Sequence, residues 1–156
     1  MSVASRLTRR SEDLGRGVSV TLPQWKLLPD IGLYMDQVMT LMERVFVAEP
    51  GAGGITKSMV NNYVKAGLIR RPTGRKYDRD QLAQLVMIAV LKQALSMEEI
   101  ARVLAVLCEK DVESGYARFC REFASGGVRE ESGDAVSAAI LAAACVMRAR
   151  ERIAQL

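Results

Sequence analysis

The chain has 156 residues, of which 49% are apolar and 26% are charged. This balance is typical of one or two compact units, and it excludes a disordered polyelectrolyte and a large multidomain enzyme. Histidine is absent, which excludes Ser-His-Asp catalysis and histidine-based metal sites. The three cysteines, Cys108, Cys120 and Cys145, are too few and too widely spaced for a disulfide framework or a Cys-x-x-Cys metal site.

The N-terminal residues 1–22 carry arginines but no apolar stretch, so they are interpreted as a flexible basic arm and not as a secretory signal. The longest apolar run, residues 135–147, is shorter than the ~20 residues that a membrane-spanning helix needs. We therefore expect a cytoplasmic protein with no membrane partner.

The first two predicted helices precede a turn-rich region. Apolar residues at helical spacing begin at Leu33 and predict a helix that ends before residue 50. A second, short helix is predicted over residues 57–66. Thr56 can serve as its N-cap, and Gly67 can end it in a left-handed conformation.

Four more helices are predicted in the rest of the chain. Asp78 can cap a third helix, and Ser96 with Glu99 forms a capping box at the start of a fourth. An apolar stripe over residues 112–123 predicts a fifth. Residues 134–156 begin with an Ala-rich run that is apolar on nearly all faces, which predicts a sixth helix that is buried on several sides or shared with a second subunit.

The positive charge is concentrated in one segment. Residues 55–93 hold eight Lys or Arg and two acids, a net charge of +6 against +4 for the whole chain. Within this segment, residues 69–77 place Pro-Thr-Gly between two basic pairs, which predicts a tight hairpin or loop. Cations on a capped helix and on the hairpin after it are typical of a surface that faces phosphates.

The second predicted helix has one core face and one polar face, which spans roughly 140° at 100° per residue. The polar face holds no acid, and its amides and ammonium groups can bind base edges or phosphates in the major groove. Its members are Lys57, Ser58, Asn61, Asn62 and Lys65. The hairpin adds four cations that could hold the flanking DNA backbone, namely Arg70, Arg71, Arg75 and Lys76. The alternative is a solvated face that carries basic residues by chance.

Residues 55–100 resemble the winged helix-turn-helix DNA-binding domain of MerR-like transcription regulators. The stretch reads ITKSMVNNYVKAGLI followed by RRPTGRKYDRDQLAQLVMIAVLKQALSMEEI. The matching positions are Tyr63, Gly67, Leu68, Arg75, Tyr77 and residues 97–100. Residues 25–107 are also similar to a family of uncharacterised bacterial proteins that is defined only as a domain of unknown function.

The MerR-like resemblance implies an all-α fold with a small β-wing. A winged helix-turn-helix domain would cover residues 25–109, and a C-terminal helical region would cover residues 110–156. We expect a bacterial transcription regulator that binds specific duplex DNA as a homodimer, with Ala139 and Ala143 of the last helix near the two-fold axis. No cofactor is expected, and the resemblance leaves a small-molecule effector open.

The alternative function is a protein-interaction module that uses the same scaffold on an acidic protein partner. An enzyme is the third and least favoured interpretation, and we expect no catalytic activity. Asp78 and Asp80 are the only acids in the basic segment, and helix capping explains Asp78 better than acid-base chemistry.

Overall fold

The computed structural model describes residues 20–46, 54–125 and 133–156. These ranges contain a short 3₁₀ helix, Trp25–Leu27, and six α-helices: α1 Met35–Val45, α2 Lys57–Lys65, α3 Arg79–Leu91, α4 Met97–Leu107, α5 Val112–Ser125 and α6 Ala135–Ile153. The predicted all-α class is confirmed for this part of the chain. No helix in the described ranges is both long and apolar enough to cross a membrane.

Helix starts follow from local side-chain chemistry. Five helices begin after a residue whose side chain accepts a hydrogen bond from the backbone N–H three residues later: Thr56, Asp78, Ser96, Asp111 and Asp134. Such caps satisfy N–H groups that would otherwise lack a partner. Gly67 follows α2 with φ of 75°, a conformation that glycine adopts at little cost. The predicted caps Thr56, Asp78 and Ser96 and the predicted stop at Gly67 are therefore confirmed.

Helix α3 forms the centre of the core, and ten of its 13 residues are buried. It packs against α4, α5 and α6, and these last two also pack on each other. Helices α1 and α2 join the same apolar cluster through Val38, Met42, Val60 and Tyr63. The six α-helices thus share one continuous core.

Residues 1–19 of the predicted basic arm lie outside the described ranges. The last residues of that arm are described, and Val20 and Leu22 are buried in the core. The Tyr116 hydroxyl donates a hydrogen bond of 2.6 Å to the carbonyl of Pro23. The segment just before the 3₁₀ helix is therefore part of the folded unit and is fixed on α5.

Helix α6 completes the core of a single chain. Its buried residues are Val136, Ala139, Ile140, Ala143, Ala144 and Met147. Ala139 and Ala143 are only 9% and 0% exposed, so the prediction that they lie at an interface between two copies is wrong. The run is apolar on several faces because α6 packs on three other helices of its own chain.

The predicted β-wing is a tight turn, and the structure has no strand within the described ranges. The Lys76 N–H donates to the Thr73 carbonyl at 3.0 Å. Gly74 and Arg75 have φ of 58° and 62°, the positive values typical of a type I′ turn. Pro72 precedes this turn and has no N–H to extend a ladder. The hairpin therefore consists of a single isolated β-bridge, between Thr73 and Lys76, and does not extend into two paired strands.

Candidate nucleic-acid interface

Helix α2 exposes the polar face that the sequence predicts. Val60 and Tyr63 on its other side are 0% and 5% exposed, and burial raises the pKa of the Tyr63 hydroxyl. The five residues of the polar face are all exposed: Lys57, Ser58, Asn61, Asn62 and Lys65. A helix fixed by its apolar side thus presents five side chains with hydrogen-bonding groups to the outside.

Both ends of α2 are held by hydrogen bonds. At the start, the Met59 N–H donates to Thr56 Oγ1 at 3.2 Å. At the end, the Tyr63 carbonyl accepts from the N–H of Leu68 at 3.0 Å and of Ile69 at 3.4 Å. The two donor residues, Leu68 and Ile69, are buried, so the chain returns to the core directly after α2. The orientation of the polar face is therefore set by the chain on either side of it.

The basic turn, residues 70–76, is anchored by Gln81, the buried polar residue of α3. Its side-chain Nε2 donates to the Arg70 carbonyl at 2.9 Å, and its Oε1 accepts from the Asp78 N–H at 2.8 Å. Gln81 is 1% exposed and is the one buried polar residue in the described part of the chain. Sequence reasoning missed this residue, although an Asp-x-x-Gln capping box at residues 78–81 signals its bond to Asp78.

The end of the turn is tied to the segment that precedes α1. Leu33 and Tyr77 exchange two backbone hydrogen bonds of 2.9 and 2.8 Å. As a result, the Lys76 ammonium lies 5.1 Å from the centre of the Tyr34 ring, a cation–π geometry. Gly32 makes this approach possible, since a Cβ there would lie 2.9 Å from Lys76 Cβ. Tyr34 was also missed, because it is distant in sequence from the basic segment.

Two of the predicted phosphate-binding or base-binding cations are paired with acids. Lys57 forms an ion pair with Asp36 of α1, and Arg70 forms one with Asp78. All four side chains are about half or more exposed, so each pair stabilises the fold by only ~0–1 kcal/mol. Four cations of the site form no ion pair within the described ranges: Lys65, Arg71, Arg75 and Lys76.

Arg79 belongs to the basic segment but has a structural role. Its Nε donates to the Leu28 carbonyl at 3.1 Å, and its guanidinium lies 5.7 Å from the centre of the Trp25 ring. A longer contact of 3.9 Å joins it to Asp30. Arg79 thus fastens the N-terminal segment to the start of α3 and is not free to contact a ligand.

Outside this interface, the cysteine and acidic side chains of the described ranges offer little reactive chemistry. The three cysteines are free, and burial, helped by nearby carboxylates, raises the pKa of Cys108 to about 11. This thiol is therefore protonated at neutral pH. Within the described ranges, no group of three or more Cys, Asp or Glu side chains could hold a metal ion.

A family of proteins defined by DUF1836, a domain of unknown function, matches residues 23–121. The match covers more than half of the chain, so the protein belongs to this family. The matched range contains α1 to α4, most of α5 and every residue of the candidate interface. This finding confirms the predicted similarity to an uncharacterised family. No curated protein and no solved structure matches the chain.

Proposed function

We propose that this chain is a cytoplasmic bacterial transcription regulator that binds specific duplex DNA sequences through a MerR-like winged helix-turn-helix. The observation that carries the proposal is the exposed, acid-free polar face of α2, which is followed directly by the basic turn. Both features are fixed on the core by buried residues. A DNA-reading surface needs this combination of hydrogen-bonding side chains, positive charge and rigid support.

Helix α2 lies in the major groove in this proposal. Asn61 and Asn62 supply amides, which can bind adenine through two hydrogen bonds, and Lys65 supplies an ammonium for guanine or phosphate. Lys57 and Ser58 lie at the start of the same face, and the first residues of a recognition helix contact base edges in the major groove. The Lys57–Asp36 pair is exposed, so a phosphate can replace the carboxylate.

The basic turn holds the DNA backbone beside this groove. Arg71 and Arg75 are exposed and lack an acidic partner in the described ranges, and Arg70 and Lys76 flank them. Arg75 has φ of 62°, which costs a non-glycine residue ~1–2 kcal/mol. An arginine at a position where glycine would be unstrained supports a role for its side chain.

The proposed regulator is a homodimer that reads a palindromic site. Because Ala139 and Ala143 are buried within the chain, the dimer contact is assigned to the outer side of α6. That side exposes small side chains at helical spacing, which allow close approach of two backbones: Ala138, Ala142, Cys145 and Ala149.

Two adjacent substitutions test the dimer. Ala142→Arg changes an exposed position and should yield a folded monomer in sedimentation experiments. Ala143→Arg places a charge at a position that is 0% exposed, so it should unfold the chain instead. A wild-type protein that sediments as a monomer at concentrations where it binds DNA would contradict the dimer.

Selection of duplex DNA from a random library tests the function itself. The full chain should enrich one sequence motif. Replacing Asn61 or Asn62 by Ala should then cost ~1–3 kcal/mol on the selected duplex and less on random DNA. Affinity is measured by fluorescence anisotropy at fixed salt.

The matched control is Gln155→Ala, which removes an exposed amide outside the interface and should leave both affinities unchanged. Equal losses of affinity for the selected duplex and for random DNA would indicate that Asn61 and Asn62 contact the DNA backbone and not the bases. Failure to enrich any motif would contradict sequence-specific binding and favour the interaction with an acidic protein.

A further inference from the structure

A large groove lies on another part of the molecule. It runs between residues 21–27, the end of α1 and one side of α5, and has a volume of about 1030 Å³. Sites for small organic molecules typically have volumes of ~300–1,000 Å³. The groove is thus large enough for a compact organic ligand, and the proposed DNA contacts use none of its residues.

The walls of the groove are largely apolar. Trp25 and Tyr116 line it together, with ring centres 6.3 Å apart. The Tyr116 hydroxyl already donates to the Pro23 carbonyl, so its bonding capacity is used within the protein. Val45 and Cys120 add further apolar surface. Because Tyr116 is 0% exposed, a ligand in this groove would place its apolar body against the half-buried Trp25 ring and the exposed Leu27 side chain.

The groove also carries an excess of positive charge. Three cations line it, Lys26, Arg44 and Arg121, against one acid, Glu113. All four side chains are exposed, and the three cations form no ion pair with any residue that the structure describes. By contrast, the nearby Arg118 is paired with two acids. The cations of the groove are therefore available to an external anion.

We propose that this groove binds a small amphipathic anion, an organic acid whose apolar body packs on Trp25 and Leu27 while its carboxylate is held by the cations. Arg44 and Arg121 can each donate two parallel hydrogen bonds to a carboxylate. The proposal goes beyond DNA binding and does not depend on it, because binding can be measured with the protein alone.

Trp25 provides a direct readout, since it is the only tryptophan of the chain. The full-length protein is titrated with dodecanoate below its micelle concentration, and Trp25 fluorescence is followed with calorimetry as a second measurement. We expect a saturable change that fits one site. Dodecyltrimethylammonium, with the same apolar tail and the opposite charge, should bind much more weakly.

Paired variants separate the groove from general charge attraction. Arg44→Gln combined with Arg121→Gln should weaken dodecanoate binding by about tenfold or more, because charge-assisted hydrogen bonds are lost. Arg102→Gln combined with Lys110→Gln removes the same charge from exposed positions outside the groove and should leave binding unchanged. All substituted residues are exposed, so both double variants should keep the circular dichroism of the wild type.

Three results would overturn the proposal. One is a titration without a saturable change in fluorescence or heat. Another is equal binding of the anionic and cationic amphiphiles, which would indicate apolar association alone. The third is an equal loss of affinity in the two double variants, which would place the anion elsewhere.

Discussion

Replacing Gly115 by alanine should force helices α4 and α5 apart. An added Cβ at Gly115 would lie 2.2 Å from the carbonyl oxygen of Leu107 and 2.7 Å from its carbonyl carbon. Leu107 is the last residue of α4. The obstacle is therefore backbone, which cannot rotate away as the end of a flexible side chain can.

The size of the effect follows from this distance. A carbon and a carbonyl oxygen normally approach to ~3.3 Å or more, so α5 must move by about 1 Å. Overpacking of this kind costs ~1–3 kcal/mol and sometimes more. Alanine would recover up to about 1 kcal/mol through its better helix propensity. We expect the Gly115→Ala variant to lose ~2 kcal/mol of unfolding free energy, since backbone clashes fall at the costly end of that range.

Urea unfolding followed by circular dichroism measures this loss. Gly133→Ala is the matched control, because nothing lies within 4 Å of a Cβ at Gly133. The control should have wild-type stability or slightly more. A Gly115→Ala variant as stable as the wild type would refute the close approach of α4 and α5 and the packing built on it.

Further predictions concern the anchor, the turn and pH. Gln81→Leu should cost ~2 kcal/mol in urea unfolding, because two side-chain hydrogen bonds are lost at ~1 kcal/mol each; an unchanged midpoint would contradict the anchoring role. Arg75→Gly should raise stability by about 1 kcal/mol through relief of the left-handed strain and should weaken DNA binding; unchanged DNA affinity would exclude Arg75 from the interface. Backbone N–H groups at helix starts lower the pKa of three carboxylates, and stability from a lowered pKa is present above the unfolded-state pKa and lost as pH falls through the folded-state pKa. The melting temperature should therefore decrease as the pH drops below about 4, and a flat profile down to pH 2 would contradict the backbone hydrogen bonds that Glu99, Asp111 and Asp134 accept.

The helices could be predicted from the sequence because their signals are local. The capping side chains accept hydrogen bonds from backbone groups only three residues away, as at Thr56, Asp78, Ser96 and Asp134. The spacing of the apolar residues within α2 determines which side of this helix is buried. The exposed polar face of α2 could be predicted for the same reason. No contact from another part of the chain is needed to place Asn61 beside Lys65.

Contacts between distant segments could not be predicted in this way. The pairing of Asp36 with Lys57 joins residues 21 positions apart, and the position of Tyr34 beside Lys76 depends on the bridge between Leu33 and Tyr77. Counting charge by segment therefore overstated the free positive charge of the interface.

The sixth helix shows a different limit of sequence patterns. An apolar run indicates burial but does not identify what covers it. Ala139 and Ala143 are covered by helices of the same chain, whereas the sequence favoured a second copy. The sequence of residues 73–76 is likewise typical of a hairpin. The structure has only the bridge between Thr73 and Lys76, without strands on either side in the described ranges.

The salt dependence of DNA binding tests the central claim most directly. Each cation that neutralises a phosphate should contribute about 0.9 to the slope of log K against log salt. Replacing Arg70, Arg71, Arg75 and Lys76 together by Ala should therefore flatten the slope by about 3.6 per bound subunit and weaken binding to every sequence alike.

A control variant with four other exposed cations replaced by Ala should keep the wild-type slope: Arg44, Arg102, Lys110 and Arg121. The measurement is fluorescence anisotropy of the full-length protein on one duplex over a range of salt concentrations. The account predicts a slope that flattens only in the basic-turn variant. A slope unchanged in that variant, or flattened equally in the control, would contradict the assignment of the DNA-binding surface to α2 and the basic turn.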